Sequence, residues 1–476
     1  MIMGNITSDI VAVNVGLRTF ADGLRAQGVQ TVEVDWRPPA DAKLVSGLRR
    51  LQDSSAGELI EEANSRALDA MLAAKPIWVG IKPALDVVPG MKPNMILHAG
   101  PPIEWERMLP AQRRGIIGGV LHEGLASNQE GALAMIKNGE IEIGSAPEHY
   151  CVGAGAGIIT PRMVVNVSTD LKTGSTGYCI PFEGRVGLGV WGVYNETVER
   201  NLREIEDEFA PAMTEAIGEF GGINVKSIIA RGLQMSDEMH TRQTAAGLLL
   251  VSEVVPMLLR SKLDRKMVER CIAQLTSSER WFHPIALSAS MCVARGAMDT
   301  PHCTIVNTIA QNGVETGIKV GFSGDQWFKA AAPRFVGSYF SSQWGPDDAV
   351  PFMGDSTVAE VVGMGAFAAA AAPVVLRLRN GGYREAIAQS EEMRSICAGV
   401  NHHYPIPLLD FTGPGIGIDI RKVVQLGVTP LCHGGIISKD GGQIGAGAAR
   451  FPIGPYVDAL RQFILEHENR RPTTGE

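Results

Sequence analysis

The stretch "DIVAVNVGLRTFADGLRAQGVQTVEVDW", residues 9–36, reads as a strand, a helix and a second strand. "DIVAVNVG" has the apolar character of a buried strand. Leu17, Phe20, Ala21 and Leu24 then recur at helical spacing, Gly28 closes the helix, and "VQTVEVDW" (29–36) begins the next strand. Two further runs, "IWVGI" (77–81) and "NMILHAG" (94–100), look like core strands. Alternating strands and helices predict an α/β start with a parallel, doubly wound sheet through about residue 130.

Beyond that point the pattern changes. Residues 131–230 carry short β-branched segments and glycine turns, which predict an α+β domain. Within it Val198, Leu202, Ile205, Phe209, Met213 and Ile217 form a helical stripe of core type that continues past Pro211, through a kink or a new helix start. Residues 231–300 read as a small helical module with caps or breaks near Ser236, Pro256, Ser277 and Pro284, and residues 301–476 as a second α+β domain. A chain of 476 residues is long enough for two to four domains.

Composition narrows the function. The net charge of −8 argues against nucleic acid, which requires clustered Lys and Arg. Seven scattered cysteines form neither a CxxC pair nor a disulfide framework, so a reducing, cytoplasmic setting is expected. The N-terminus has no signal-peptide pattern. The longest uncharged apolar stretch, "VVGMGAFAAAAAPVVL" (361–376), is shorter than the ~20 residues of a membrane span and reads as a buried helix. Glycine is enriched, at 55 residues, or about 12% against the usual ~7%.

Several polar segments could carry chemistry. "MSDEMHTR" (235–242) precedes an apolar run, so Ser236 fits an N-cap with Asp237 and Glu238 in the first helical turn. The same spacing would let these acids orient His240 and Arg242 towards a pocket, and both readings stand. Asn14 and Gly16 end the first strand where backbone N–H groups could bind an anion. The G-x-G-x-x-G pattern is missing although Asp35 lies near the ribose-acid position, and there is no Walker A sequence. "HAGPPIEWER" (98–107) puts Gly100 and Pro101 in a turn at a strand end, with Arg107 as a carboxylate or phosphate anchor or a surface ion-pair partner. "QNGVETG" (311–317) and "GDSTVAE" (354–360) supply Asn312, Gly313, Glu315, Asp355 and Ser356, whose plainer roles are turns and helix caps. No metal-ligand spacing is present, and neither a metal nor a cofactor is expected.

These segments together resemble the AllG-type family of oxamate carbamoyltransferase subunits, relatives of FdrA-like proteins. Residues 14–40 resemble the start shared by both. "LHAGPPIEWERM", "GVLHEGLA", "MSDEMHTR", "QNGVETG", "GDSTVAE" and "GIDIRKVV" follow in the family's order. The resemblance implies a Rossmann-like N-terminal domain, two α+β domains and a small helical module. It also implies a complex with an FdrA-like partner and another subunit; separately, a homo-oligomer is expected, and charge and hydropathy give no expectation of a nucleic-acid or membrane partner. The implied reaction moves a carbamoyl group between oxamate and phosphate, with oxalurate as the catabolic substrate.

Carried over residue by residue, His240 becomes the proton-transfer or carbonyl-donor group, oriented by Asp237 or Glu238. Asn312 and Asp355 complete the carbonyl and base environment. Arg107 and Arg242 anchor the small anionic substrate and phosphate, with Gly100, Pro101, Gly313, Glu315 and Ser356 beside them. The chain departs from the family at "LPAQRRG" (109–115), "TGPGIGID" (412–419) and "GIISKDGGQIGAG" (435–447), which puts the substrate in question. An amide or cyclic-amide hydrolase on the same scaffold and a non-catalytic subunit are the alternatives.

Overall fold

A computed structural model describes residues 11–15, 18–34, 39–184 and 186–469. The first strand, Val11–Val15, and the second, Gln30–Val34, pair in parallel around helix Arg18–Ala26, as the sequence predicts. Their sheet has two strands among the described residues, and Val11 and Val13 are exposed rather than buried. Gly16 and Asp35 lie outside the described residues. Asn14 is buried in the first strand.

The next core strand does not extend this parallel sheet. Pro76–Pro83 runs antiparallel to Val164–Asp170 and to Ile223–Asn224, in a five-stranded sheet that also includes Thr176–Cys179 and Cys151–Val152. The expectation of a single doubly wound sheet is therefore corrected to a mixed α/β architecture of several sheets. Local alternation favours parallel pairing, but partners more than eighty residues away decide it, and short-range periodicity contains nothing about them. Gly80, at φ +141, marks a shift in register beside Thr214, whose hydroxyl would lie 2.7 Å from an added Cβ. Met95–His98 does pair in parallel with Glu142–Ser145, across helices Pro110–His122 and Gln129–Lys137.

The stripe from Val198 to Ile217 is buried throughout. Helix Glu196–Glu204 passes through a π turn at Ile205–Phe209 into helix Ala210–Gly218, so Pro211 stands in a first turn, where its missing N–H costs least. The helical region contains Val225–Gln234, Thr244–Arg260, Arg265–Thr276 and Phe282–Ala294. The last is buried along its length and lies directly on the central sheet. Gly177 permits this approach, because an added Cβ would stand 2.2 Å from the Ser288 carbonyl oxygen.

Towards the C-terminus two antiparallel sheets face the site. One orders Phe328–Ala331, Glu315–Val320, Val306–Asn312 and Met353–Gly354, and the other Val336–Tyr339, Gln443–Arg450 and Leu431–Ile437. The apolar stretch 361–376 is buried as expected but is not one α-helix. It forms tight turns at Gly365–Ala371 and Pro373–Arg379, since Gly363 and Gly365 take positive φ and Pro373 interrupts the ladder. No described helix is long and apolar enough to cross a membrane. One hydrophobic core runs from Leu48 to Ile464 and includes Ile205, Leu250 and Ile309. A second gathers Ala84 to Leu202 with Met353 and Ile437.

Candidate active site

Residues 235–243 form a loop, and the helix begins at Thr244. Ser236 and Met239 have φ of +71 and +73, so the loop folds back on itself and Ser236 is not the N-cap. Asp237 still serves the helix start from outside, accepting from the Ala246 amide at 2.8 Å. Burial raises its pKa to about 6, against the pull of the Ala246 amide and Arg242. Arg242 stands 3.6 Å from Asp237 and donates to the Ser236 carbonyl.

Glu238 organises the same turn. Its Oε1 accepts from the backbone amides of His240, Thr241 and Arg242, while Oε2 lies 3.0 Å from His433 Nδ1. Burial opposes its charge, but His433, then His240 and the amides, outweigh burial and hold the carboxyl below its ordinary range.

His240 projects from this turn between two groups of the "GDSTVAE" segment. Its Nδ1 contacts both oxygens of Glu360 at 2.9 and 2.8 Å, and its Nε2 lies 2.9 Å from Ser356 Oγ. The expectation that Asp237 or Glu238 orients the ring is corrected, because the turn is not helical and Glu360 performs this task. Glu360 is itself fixed by the amides of His433 and Ala366, both at 3.1 Å. Burial disfavours the imidazolium, yet the charge and hydrogen bond of Glu360, with Glu238, raise the His240 pKa on balance.

His240 and Ser356 line a cavity of about 370 Å³, together with Thr241, Gln243, Arg280 and His283. Phe182, Trp191, Phe335, Phe340 and Phe352 supply its apolar walls. Among the described residues Thr241 Oγ1, Gln243 Oε1 and His283 Nδ1 are buried without a hydrogen-bond partner, which leaves polar capacity for a ligand. The His283 ring stacks against His240 at 5.6 Å, and burial followed by the charges of His240 and Arg280 lowers its pKa to about 3. The cavity therefore sets a histidine whose proton affinity is raised beside one whose proton affinity is lowered.

The other predicted residues meet in a neighbouring cluster. Asp355 accepts from the Gly100 amide at 2.7 Å and the Gly153 amide at 3.0 Å, and burial drives its pKa well upward. Asn312 donates to the Pro101 carbonyl and accepts from the Val314 and Glu315 amides. Gly100 and Gly313 take φ of +90 and +83 to permit these turns. Arg107 is half-exposed and paired with Glu315 at 2.7 Å, and Glu315 also holds Lys329. The three motifs meet one another, but in a cluster beside the His240 cavity that only Ser356 of these residues lines, and Asp355 and Asn312 spend their polar atoms on backbone. Among the described residues Arg280, rather than Arg107 or Arg242, lines the His240 cavity.

Sequence reasoning missed Glu360, Arg280, Cys432 and His433. Glu360 had a signal, lying four residues after Ser356 within the quoted segment. Cys432 Sγ approaches His240 Nδ1 at 3.7 Å, and burial followed by the Glu360 charge keeps its thiol protonated. His240, Glu360 and Cys432 offer nitrogen, oxygen and sulfur atoms within 4.8 Å of one another, a donor set suited to zinc that linear spacing did not reveal. In the structure His240 and Glu360 bond directly to each other.

A relative in Escherichia coli, "Oxamate carbamoyltransferase subunit AllG", is 32% identical over 410 residues, covering 84% of this chain and 97% of the relative. The chain belongs to the AllG family. The family's own model, described as oxamate carbamoyltransferase subunit AllG, matches residues 141–356, which include both His240 and Ser356. A second E. coli relative of this AllG-family chain, "Uncharacterized protein YahG", is 33% identical over 456 residues, covering 94% of this chain and 96% of that one. A conserved Enterococcus faecalis protein of unknown function shares the AllG-type fold seen here. Its crystal structure has a TM-score of 0.82 and 33% identity, covering 86% of this chain and 98% of that one.

Proposed function

We propose that this chain is a carbamoyltransferase subunit that moves a carbamoyl group between a small ureido acid of the oxalurate type and phosphate, within a complex containing an FdrA-like partner. The observation that carries this reading is the Ser356–His240–Glu360 relay opening into a cavity beside Arg280, in a chain related to an oxamate carbamoyltransferase subunit. The task requires a proton for the departing amide nitrogen and a positive group for the anion.

In the proposed step a phosphate oxygen attacks the carbamoyl carbon of oxalurate and the bond from that carbon to the inner amide nitrogen breaks. His240, charged through its pairing with Glu360, delivers the Nε2 proton to that nitrogen directly or through Ser356 Oγ. Oxamate leaves, and His240 regains a proton from the phosphate, so the products are oxamate and carbamoyl phosphate. Arg280 binds a substrate oxyanion, and His283, neutral beside it, donates or accepts without adding charge. The test is phosphate-dependent formation of carbamoyl phosphate from oxalurate by the reconstituted complex. Absence of turnover with oxalurate and its ureido-acid analogues would remove this reading.

A second reading is favoured by one distance. Ser356 Oγ at 2.9 Å from His240 Nε2, with Glu360 behind the ring, is also the arrangement of a nucleophile, base and orienting acid. An amide hydrolase working this way would release ammonia or a ring-opened acid without phosphate.

A further inference from the structure

A second cavity, of about 870 Å³, lies away from His240 and is lined by Lys75, Lys172, Lys226, Arg295 and His403. Asp170, the one acidic residue lining it among the described residues, accepts from the backbone amides of Lys172 at 2.9 Å and Lys75 at 3.3 Å. In a chain of net charge −8 this is a local excess of positive charge. Such an excess costs free energy unless something negative faces it.

The groups around the cavity register that excess. Lys226 Nζ is held at the wall by the carbonyls of Leu72 and Ala74, at 2.7 and 2.9 Å. Burial and then the charge of Lys75 lower its pKa to about 8, despite Asp170. His403 is shifted downward by burial, Lys226, His402 and Lys75. Arg295 is fixed with its guanidinium carbon 3.8 Å from the Tyr150 ring centroid and Nη1 on the Thr176 carbonyl. Lys75 and Lys172 bond through their backbone amides, and their side chains make no hydrogen bond or ion pair among the described residues. The wall thus combines two anchored cations with two available ones, a preorganised anion receptor.

Position separates this cavity from the first. Helix Phe282–Ala294 presents His283 and Leu287 to the His240 cavity, whereas Cys292, near its other end, and Arg295 just beyond it line the basic one. At 1.5 Å per residue, the five to nine residues between His283 or Leu287 and Cys292 span roughly 8–14 Å.

We propose that the Lys75–Lys172–Lys226–Arg295 cavity is a second anion site that binds a small, multiply charged phosphoryl compound independently of the His240 cavity. Inorganic pyrophosphate is the probe, titrated into the full-length chain by calorimetry at constant ionic strength, with a thermal-shift assay in parallel. Saturable binding is expected in the parent and undiminished in His240→Ala and Arg280→Gln, with affinity reduced about tenfold or more in the double variant Lys75→Gln/Lys172→Gln. Should the double variant unfold, Lys172→Glu alone, at an exposed turn, is expected to give a comparable loss. No saturable binding, full binding by the lysine variants, or loss on changing Arg280 instead would overturn the proposal. None of these results depends on whether the chain transfers carbamoyl groups.

Discussion

His240 Nδ1 lies 2.8 Å from a carboxylate oxygen of Glu360, 120 residues further along the chain, and both side chains are buried. The pair fixes the ring, raises its proton affinity and directs Nε2 at Ser356. Glu360→Gln should therefore lower the folded-state pKa of His240. If the imidazolium is the acid, activity is present below that pKa and lost above it, so the alkaline limb moves to lower pH. Turnover of the reconstituted complex should fall by about 10²–10³-fold. A pH–rate profile with an unmoved alkaline limb would exclude His240 as the acid.

Ser356→Ala separates the two chemical readings. A hydroxyl that only relays the His240 proton can be bypassed by water, so the variant should retain phosphate-dependent transfer within about 10–100-fold of the parent. A serine nucleophile admits no such substitute, and activity would fall by about 10⁴-fold or more. Single-turnover kinetics on the parent check the point independently, since a carbamoylated Ser356 would accumulate before product only in the second case.

How far the site could be read from sequence follows from which contacts are local. His240 and Ser356 stand in short polar segments flanked by apolar runs, and their pairing is found in the structure. The helix proposed through Asp237 and Glu238 fails because Ser236 and Met239 adopt positive φ, and no glycine marks either position. Glu360 is legible only as the last residue of the motif that holds Asp355 and Ser356, with no local pattern pairing it to a histidine 120 residues earlier. Cys432 and His433 arrive on a strand nearly two hundred residues beyond His240, and Arg280 sits in a turn with no motif around it. In the fold, the first βαβ unit was legible because its pairing is local, while strand Pro76–Pro83 takes distant antiparallel partners that no short window contains.

His122, in the "GVLHEGLA" segment, is a structural rather than catalytic feature. It bridges Glu199 at 2.6 Å and Glu206 at 2.7 Å with no exposed side-chain surface. Burial opposes its charge, but Glu206 and then Glu199 raise its pKa to about 9. A folded-state pKa above the unfolded value of ~6.5 means that the stabilisation is complete below pH 6.5 and is lost as pH rises through 9. Allowing for the partial exposure of Glu199, the loss is about 2–3 kcal/mol. Urea denaturation of the parent and His122→Gln between pH 6 and 10 should show their stabilities converging as pH rises, and a constant difference would refute the charged bridge.

Asp355 is expected to act on stability before chemistry. Its carboxyl joins the Gly100 turn to Gly153 through two buried backbone amides. Asp355→Ala leaves both donors unpaired, at about 1–3 kcal/mol each. A fall in unfolding free energy of about 2–5 kcal/mol is expected. If the folded fraction at low temperature keeps near-parent turnover, Asp355 is a positioning residue. A stable but inactive Asp355→Ala protein would restore it to the catalytic set.

Gly365 sets the position of Glu360, and through it the whole relay. Its φ is +59, and a Cβ at this position would lie within hydrogen-bond distance or closer of Glu360 Oε1 and 3.1 Å from His240 Cβ. Alanine here must carry both the left-handed backbone strain, about 1–2 kcal/mol, and a collision with a carboxylate fixed on three sides. Because the collision falls on Glu360 rather than on a flexible surface group, Gly365→Ala should reduce stability by about 2–4 kcal/mol and turnover by at least the amount seen for Glu360→Gln. The two substitutions combined should cost little more in turnover than Gly365→Ala alone, since the first has already displaced the group that the second neutralises. Additive losses in that double-mutant cycle would show that Gly365 acts on the site by some route other than Glu360.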